Sequence, residues 1–124
     1  MTINEAITQI DSLKTNTYTS TEKIGWLSRA DLMIKKNIID THEGTEDVRF
    51  EGYTEDTDLN TALLVPAPFD EMYIRYLEAQ IDYFNGEYAK YNNSIIMFNA
   101  AYEAYANYYN KMNMPKSAGK RFLF

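Results

Sequence analysis

The chain contains no cysteine. This excludes a disulfide framework, a thiolate zinc site and a thiol nucleophile, and it fits a reducing compartment. Histidine occurs once, as His42. Any transition-metal site would therefore be built almost entirely from carboxylates. No apolar run approaches the ~20 residues that a membrane-spanning helix needs. The opening stretch "MTINEAITQIDSLK" carries acids and lacks the apolar core of a secretory signal. Three prolines and five glycines in 124 residues leave room for long regular elements. Basic residues are also few, 12 against 18 acids, for a formal net charge of −6. Broad binding to a phosphate backbone, which needs clustered Lys and Arg, is disfavoured.

What the chain does have is apolar and aromatic content, at 45% and 15% of residues. That is the composition of a folding domain, and the length suits one domain with one core. Charge is unevenly distributed. Between Asp40 and Asp58 there are eight acids and one base, Arg49, whereas from Lys111 onward come Lys111, Lys116, Lys120 and Arg121 with no acid.

Periodicity predicts four helices. Thr2 and Glu5 have capping-box spacing, and Ile3, Ile7, Ile10 and Leu13 follow on one face, giving a helix over 2–14. Thr19 and Glu22 offer a second box. Ile24, Leu27, Ile34 and Ile38, widened by Trp26, Met33 and Ile39, extend a helix over 21–41 despite Gly25. Residues 42–67 change character, with short alternation at Val48, Phe50 and Tyr53, and read as an acidic surface loop or a small β-hairpin. Pro68 suits the start of the next helix. From Ile74 to Met112 apolar residues recur by three and four without a slip, through Leu77, Ile81, Phe84, Tyr88, Tyr91, Ile95, Phe98, Tyr102, Tyr105 and Tyr109. Asn85-Gly86 reads as a helix end, and "NNS" at 92–94 as an N-cap cluster. The expected elements are helices over 69–90 and 94–113, one long kinked helix being the alternative. The fold class is all-α: a small four-helix bundle over 1–113 with a long acidic loop, then a basic, apolar-tipped tail over 114–124.

No motif carries catalytic chemistry. His42, in "THEG", reads as a helix C-terminal residue facing the dipole. Asp56, Asp58 and Asn60 imitate the opening of a calcium loop. However, Thr61 and Ala67 stand where such a loop needs Gly and Glu. "AGKR" lacks the rest of a phosphate loop, and no serine has a nucleophile-elbow setting. A paired-carboxylate hydrolase is allowed by residue type but has no cleft motif behind it. The expectation is a non-enzyme with no metal and no cofactor. Tyrosine is the unusual feature: "FNAAYEAYANYYNKM" over 98–112 holds four. Rings at helical spacing are mainly packing, yet a buried Tyr needs a partner for its hydroxyl, and interfaces cover the ring while leaving the tip wet. Single-strand stacking would want a basic groove beside the rings. Tyr108, with Met97, Ala101 and Ala104, falls on a face adjacent to the packing seam.

"THEG", the acidic stretch after it and "DTDLNTALLVPAPFDEMYIRYLEAQIDYFNGEYAKYNNSIIMFNAAYEAYANYYNKMNMPK" together resemble head-to-tail connector (head-completion) proteins of tailed phages and prophages of Gram-positive bacteria. The similarity is strongest over 64–115. It implies a helical bundle with a long loop, copies assembled in a ring beneath the portal, and DNA as non-specific cargo of the central channel. It also implies a virion location after assembly in the host cytoplasm, and no catalytic residues. Expected partners are other copies of the chain and portal or tail-completion proteins, without a membrane. The candidate interface comprises Asp47, Glu51, Glu55, Asp56 and Asp58 of the loop, Met97 and Tyr108, and Lys120, Arg121, Phe122, Leu123 and Phe124 of the tail. In this reading Lys120 and Arg121 face the acidic loop of a neighbour, with Phe122 and Phe124 as apolar anchors. The alternative is a cytosolic helical adaptor or regulator that binds a protein partner through the Tyr-rich helix.

Overall fold

The computed structural model describes residues 1–42 and 49–113. Four helices account for most of them: α1 (Ile3–Leu13), α2 (Ser20–Asn37), α3 (Glu71–Phe84) and α4 (Tyr88–Met112). The molecule is an all-α four-helix bundle, as expected.

α1 begins where its sequence dictates. The Thr2 hydroxyl accepts from the Glu5 N–H, and the Glu5 carboxylate accepts from the Thr2 N–H, both at 3.1 Å. Such a cap stabilises a helix by about 1 kcal/mol. The loop completes the cap. Thr2 and Ala62 form an isolated antiparallel bridge, and the N–H groups of Ile3 and Asn4 donate to the carbonyls of Thr61 and Leu59. Donors that an isolated helix leaves to water are thus satisfied by residues 55 and 58 positions away. At α2 only half of the expected box is described, with Thr19 Oγ1 accepting from the Glu22 N–H. α2 stops at Asn37, and the expected last turn is a separate 3₁₀ turn, Ile39–Thr41.

The α3–α4 boundary differs from expectation. The break lies at residues 85–87, where Gly86 has φ +75°, a conformation that disfavours other residues. Asn92, Asn93 and Ser94 are inside α4 and do not cap it. Ser94 is buried instead, its hydroxyl donating to Asp82 Oδ2 at 2.8 Å. α3 also starts at Glu71, later than predicted, because residues 67–70 form a turn after Pro68.

The heptad seam folds back on itself. Ring pairs Tyr83–Tyr91, Tyr76–Phe98 and Phe69–Tyr105 lie 5.4, 5.1 and 5.7 Å apart. Each step of seven down α3, and on to Phe69 just ahead of it, matches a step of seven up α4, so the two helices are antiparallel. α3 is therefore buried on several sides at once. Tyr76 meets α4, Ile74 lies beside Gln9 and Leu13 of α1, and Phe84 stacks on Trp26 of α2. Leu77 and Ile81 are fully buried, worth roughly 1.5–3 kcal/mol each. By contrast α4 buries a narrow strip, Ser94, Phe98 and Tyr105. Phe84, Tyr88 and Met112, expected within the seam, are exposed.

No hairpin forms among the described loop residues. Residues 49–67 run over the core as irregular chain with turns at 54–57 and 58–61, Tyr53, Leu63 and Val65 turned in and Glu51, Glu55, Asp56 and Asp58 turned out.

Candidate interaction surfaces

Asp31 holds the loop in place. It is fully buried on the Leu27–Ile34 stripe of α2. The hydroxyl of Tyr73 on α3 donates to its Oδ1 at 2.5 Å, and the same hydroxyl accepts the Val65 N–H at 2.8 Å. Oδ2 accepts the Leu64 N–H at 3.1 Å and a short bond from the Tyr53 hydroxyl. No cation lies in this set. Burial, the dominant cause, raises the Asp31 carboxyl above the usual aspartate range, although all three donors pull the other way. Burial and the neighbouring carboxylate likewise raise both tyrosine hydroxyls, which stay protonated as donors. Tyr105, buried and beside Tyr109, is pushed up to about 12. Such a centre, closed to solvent and with its oxygens occupied, is suited to anchoring the loop.

A second buried carboxylate, Asp82, joins three helices. Lys14, at the end of α1, places Nζ 2.6 Å from its Oδ1, and Ser94 of α4 occupies Oδ2. The groove above it, between α1 and α3, has a volume of about 410 Å³ and is rimmed by Arg75, Glu71 and Glu78. Arg75 bridges both glutamates, at 3.1 and 3.3 Å, so the rim charges pair among themselves.

His42 caps the 3₁₀ turn. Its Nδ1 lies 2.6 Å from the Ile38 carbonyl, and its ring meets the Tyr109 ring edge-on at 4.6 Å. The expected contact with a helix C-terminal carbonyl is present, but the ring is buried under α4. Among the described residues no group of three or more His, Asp or Glu is placed to share a metal ion. No described helix is long and apolar enough to cross a membrane.

The interface residues divide into three groups. Glu51, Glu55, Asp56 and Asp58 share the outer side of the loop, where Asp58 Oδ1 accepts the Asn60 N–H at 2.9 Å. Met97 and Tyr108 lie on the outer face of α4 and are 46% and 43% exposed. Tyr108 packs on Phe69, with ring centroids 4.8 Å and planes 35° apart, and stays partly open to solvent. Ala104 is exposed on the same line and Ala101 borders it, while Met112 stands exposed at the end of the neighbouring seam. Asp47, Lys120, Arg121, Phe122, Leu123 and Phe124 lie outside the described residues.

Sequence reasoning missed a third surface. Tyr18, Trp26 and Phe84 converge where the α1–α2 connection, α2 and the end of α3 meet. Trp26 and Phe84 stack at 5.7 Å with planes 7° apart, and Tyr18 meets Trp26 edge-on at 5.3 Å. With Glu22, Gly25 and Arg29 they line a cleft of about 330 Å³. Reading Trp26 and Phe84 as two separate stripes concealed it. Gly25, inside a helix next to the chain's one tryptophan, was the available signal.

No family model matches the chain, and neither a curated protein nor a solved structure matches it.

Proposed function

We propose that the chain is a structural subunit that works by assembly, without turnover, and that the assembly is the head-to-tail connector of a tailed phage or prophage. The observation that supports this reading best is the outer face of α4. This helix of 25 residues is about 37 Å long, yet it packs along one narrow strip. Met97, Ala104 and Tyr108 form an exposed apolar line along it. A helix that packs along one strip and keeps an exposed apolar line beside it offers a face suited to being covered. Tyr and Met are also residues that interfaces favour.

An acidic loop fixed over α2 and an apolar helix face give the subunit two unlike surfaces. A ring needs two such surfaces, because each copy presents one face to the copy before it and another to the copy after. In the connector reading the partners are further copies, the portal and tail-completion proteins, and the site of action is the virion. A net charge of −6 suits a wall past which DNA slides without sticking.

The test is assembly in vivo. Met97→Glu puts a charge on the α4 face at an exposed position, so the isolated domain should keep its stability within about 0.5 kcal/mol. Phage lysates carrying it should contain filled heads without tails, and purified virions of the parent should contain the chain. Normal tailed particles with Met97→Glu, or virions free of the chain, would refute the proposal.

A further inference from the structure

The aromatic cleft has the features of a receptor that its own residues do not fill. Phe84 is 53% exposed although it stacks on a buried tryptophan. Gly25 forms the floor, and a Cβ built there would meet nothing within 4 Å. Glycine is a poor helix residue, and neither backbone conformation nor crowding among the described residues requires it at this position. Arg29 on the rim is engaged by the Tyr76 hydroxyl. Glu22 makes no ion pair among the described residues.

The acidic loop crosses α2 next to this cleft. The Tyr53 N–H donates to Ser28 Oγ at 2.9 Å, one helical turn from Gly25. Glu51, two residues earlier, stands exposed there, with the equally exposed Arg49 guanidinium 4.0 Å away in a loose pair that a second basic group can displace. One strip of surface therefore runs from an acidic ledge at Glu51 into an aromatic cleft ringed by Tyr18, Trp26 and Phe84, with Glu22 beyond. Its complement is a basic pair followed at once by large apolar side chains. The chain carries that pattern in Lys120-Arg121-Phe122-Leu123-Phe124.

Geometry favours a second copy as its source. The cleft lies at the α3–α4 turn, level with Tyr91, because Tyr83 touches both Phe84 and Tyr91. The chain leaves α4 at Asn113, 22 residues along the helix from Tyr91, a separation of roughly 33 Å at the helical rise. Phe122 is nine residues beyond Asn113, and fully extended chain spans at most about 30–32 Å over that number. A fully extended segment running straight back would leave the Phe122 Cα short of its own cleft, and Phe124, with a reach of about 36–40 Å, would arrive with almost no slack for passing around the bundle, so a second copy seats both rings more readily.

We infer that the cleft formed by Tyr18, Gly25, Trp26 and Phe84 is the docking site for residues 120–124 of a second copy. Phe122 and Phe124 enter the cleft, while Lys120 and Arg121 lie along the ledge at Glu51. The described chain leaves α4 at the end of the bundle far from the cleft, so the inferred contact is head-to-tail and each copy can make it twice. This inference rests on the assembly reading above and specifies one of its contacts.

The test uses the full chain and a synthetic peptide of residues 114–124, with the fluorescence of Trp26, the one tryptophan, as readout. Saturable quenching or shift is expected, and it should weaken several-fold between low and high salt. Gly25→Leu fills the cleft in open space and favours the helix, so the protein stays folded while peptide affinity should fall at least tenfold. Glu51→Lys should weaken binding several-fold, and a peptide carrying Lys120→Glu and Arg121→Glu should recover it on that variant. To establish that the donor is another copy, an isotope-labelled chain is mixed with an unlabelled chain spin-labelled through Lys120→Cys. The Trp26 indole signal should broaden in the mixture. Absence of saturable binding, unchanged affinity in Gly25→Leu, or no broadening would overturn the inference. These outcomes are separable from failure of the connector proposal. Tail docking without any virion phenotype would refute only the connector, whereas virions that need the α4 face but show no docking would refute only this contact.

Discussion

Removing one oxygen, by Tyr73→Phe, should cost more stability than any other single-atom change around Asp31. That hydroxyl makes two buried hydrogen bonds, accepting the Val65 N–H and donating to Asp31 Oδ1. Losing a hydrogen bond to a charged group costs about 1.5–3 kcal/mol, and leaving a buried N–H without an acceptor costs about 1–3 kcal/mol. The sum is about 4 kcal/mol, with no cavity larger than one oxygen. Tyr53→Phe is the internal comparison, because the Tyr53 hydroxyl serves Asp31 alone, and it should cost about 2 kcal/mol. A domain of this size has roughly 6–18 kcal/mol to lose. Urea unfolding followed by far-UV circular dichroism measures both variants, and Tyr73→Phe should lower the melting temperature by roughly 15 °C. Because both tyrosines address one carboxylate, the double variant should cost less than the two singles added. If Tyr73→Phe costs under 1 kcal/mol, or less than Tyr53→Phe, the loop is not held by this hub and the reasoning fails.

Asp31 also sets a pH dependence. Its folded-state carboxyl lies above the ordinary aspartate value because of burial, so the folded chain holds that proton more tightly than the unfolded chain. This contribution is complete below about pH 4 and is lost as pH rises through the folded value. Asp31→Asn, which cannot ionise, should therefore gain on the wild type as pH rises from about 4, read as the difference between two denaturation series. A constant difference would contradict the assignment. At Asp82, Lys14→Met should cost about 3 kcal/mol by leaving a buried carboxylate with only the Ser94 hydroxyl, and adding Asp82→Leu should return much of it. Failure of the second change to rescue the first would show that Lys14 matters through its stem.

The parts of the fold legible in the sequence are those decided by near neighbours. Thr2 with Glu5, the Ile stripe of α1 and Gly86 each carry their structural consequence within a turn or two. Asn92-Asn93-Ser94 misled for the same reason. Such residues cap helices when nothing else claims them, but here Asp82, twelve positions earlier, takes the Ser94 hydroxyl into the core. The seven-residue period of the aromatic seam was visible, while its reversal at Gly86 was not, since an antiparallel return preserves the spacing. Asp31 could have been flagged, because a lone carboxylate on the Leu27–Ile34 stripe requires donors from elsewhere. Their identity could not be read, since Tyr53 and Tyr73 reach it from 22 and 42 positions away. The aromatic cleft was hidden similarly, being assembled from a connection, a helix face and a helix end.

The Asp31 hub has a consequence beyond holding residues 49–67 to the core. A long acidic connection would ordinarily lose its conformational freedom at the moment a partner ordered it, and that loss would weaken the complex. Here the ordering accompanies folding, since Tyr53, Leu64 and Val65 are anchored in one isolated copy. Glu51, Glu55, Asp56 and Asp58 are then a preorganised charge display, fixed in spacing before any neighbour arrives. Assembly on that surface should proceed as rigid-body docking, with little of the heat-capacity change that marks a segment folding as it binds.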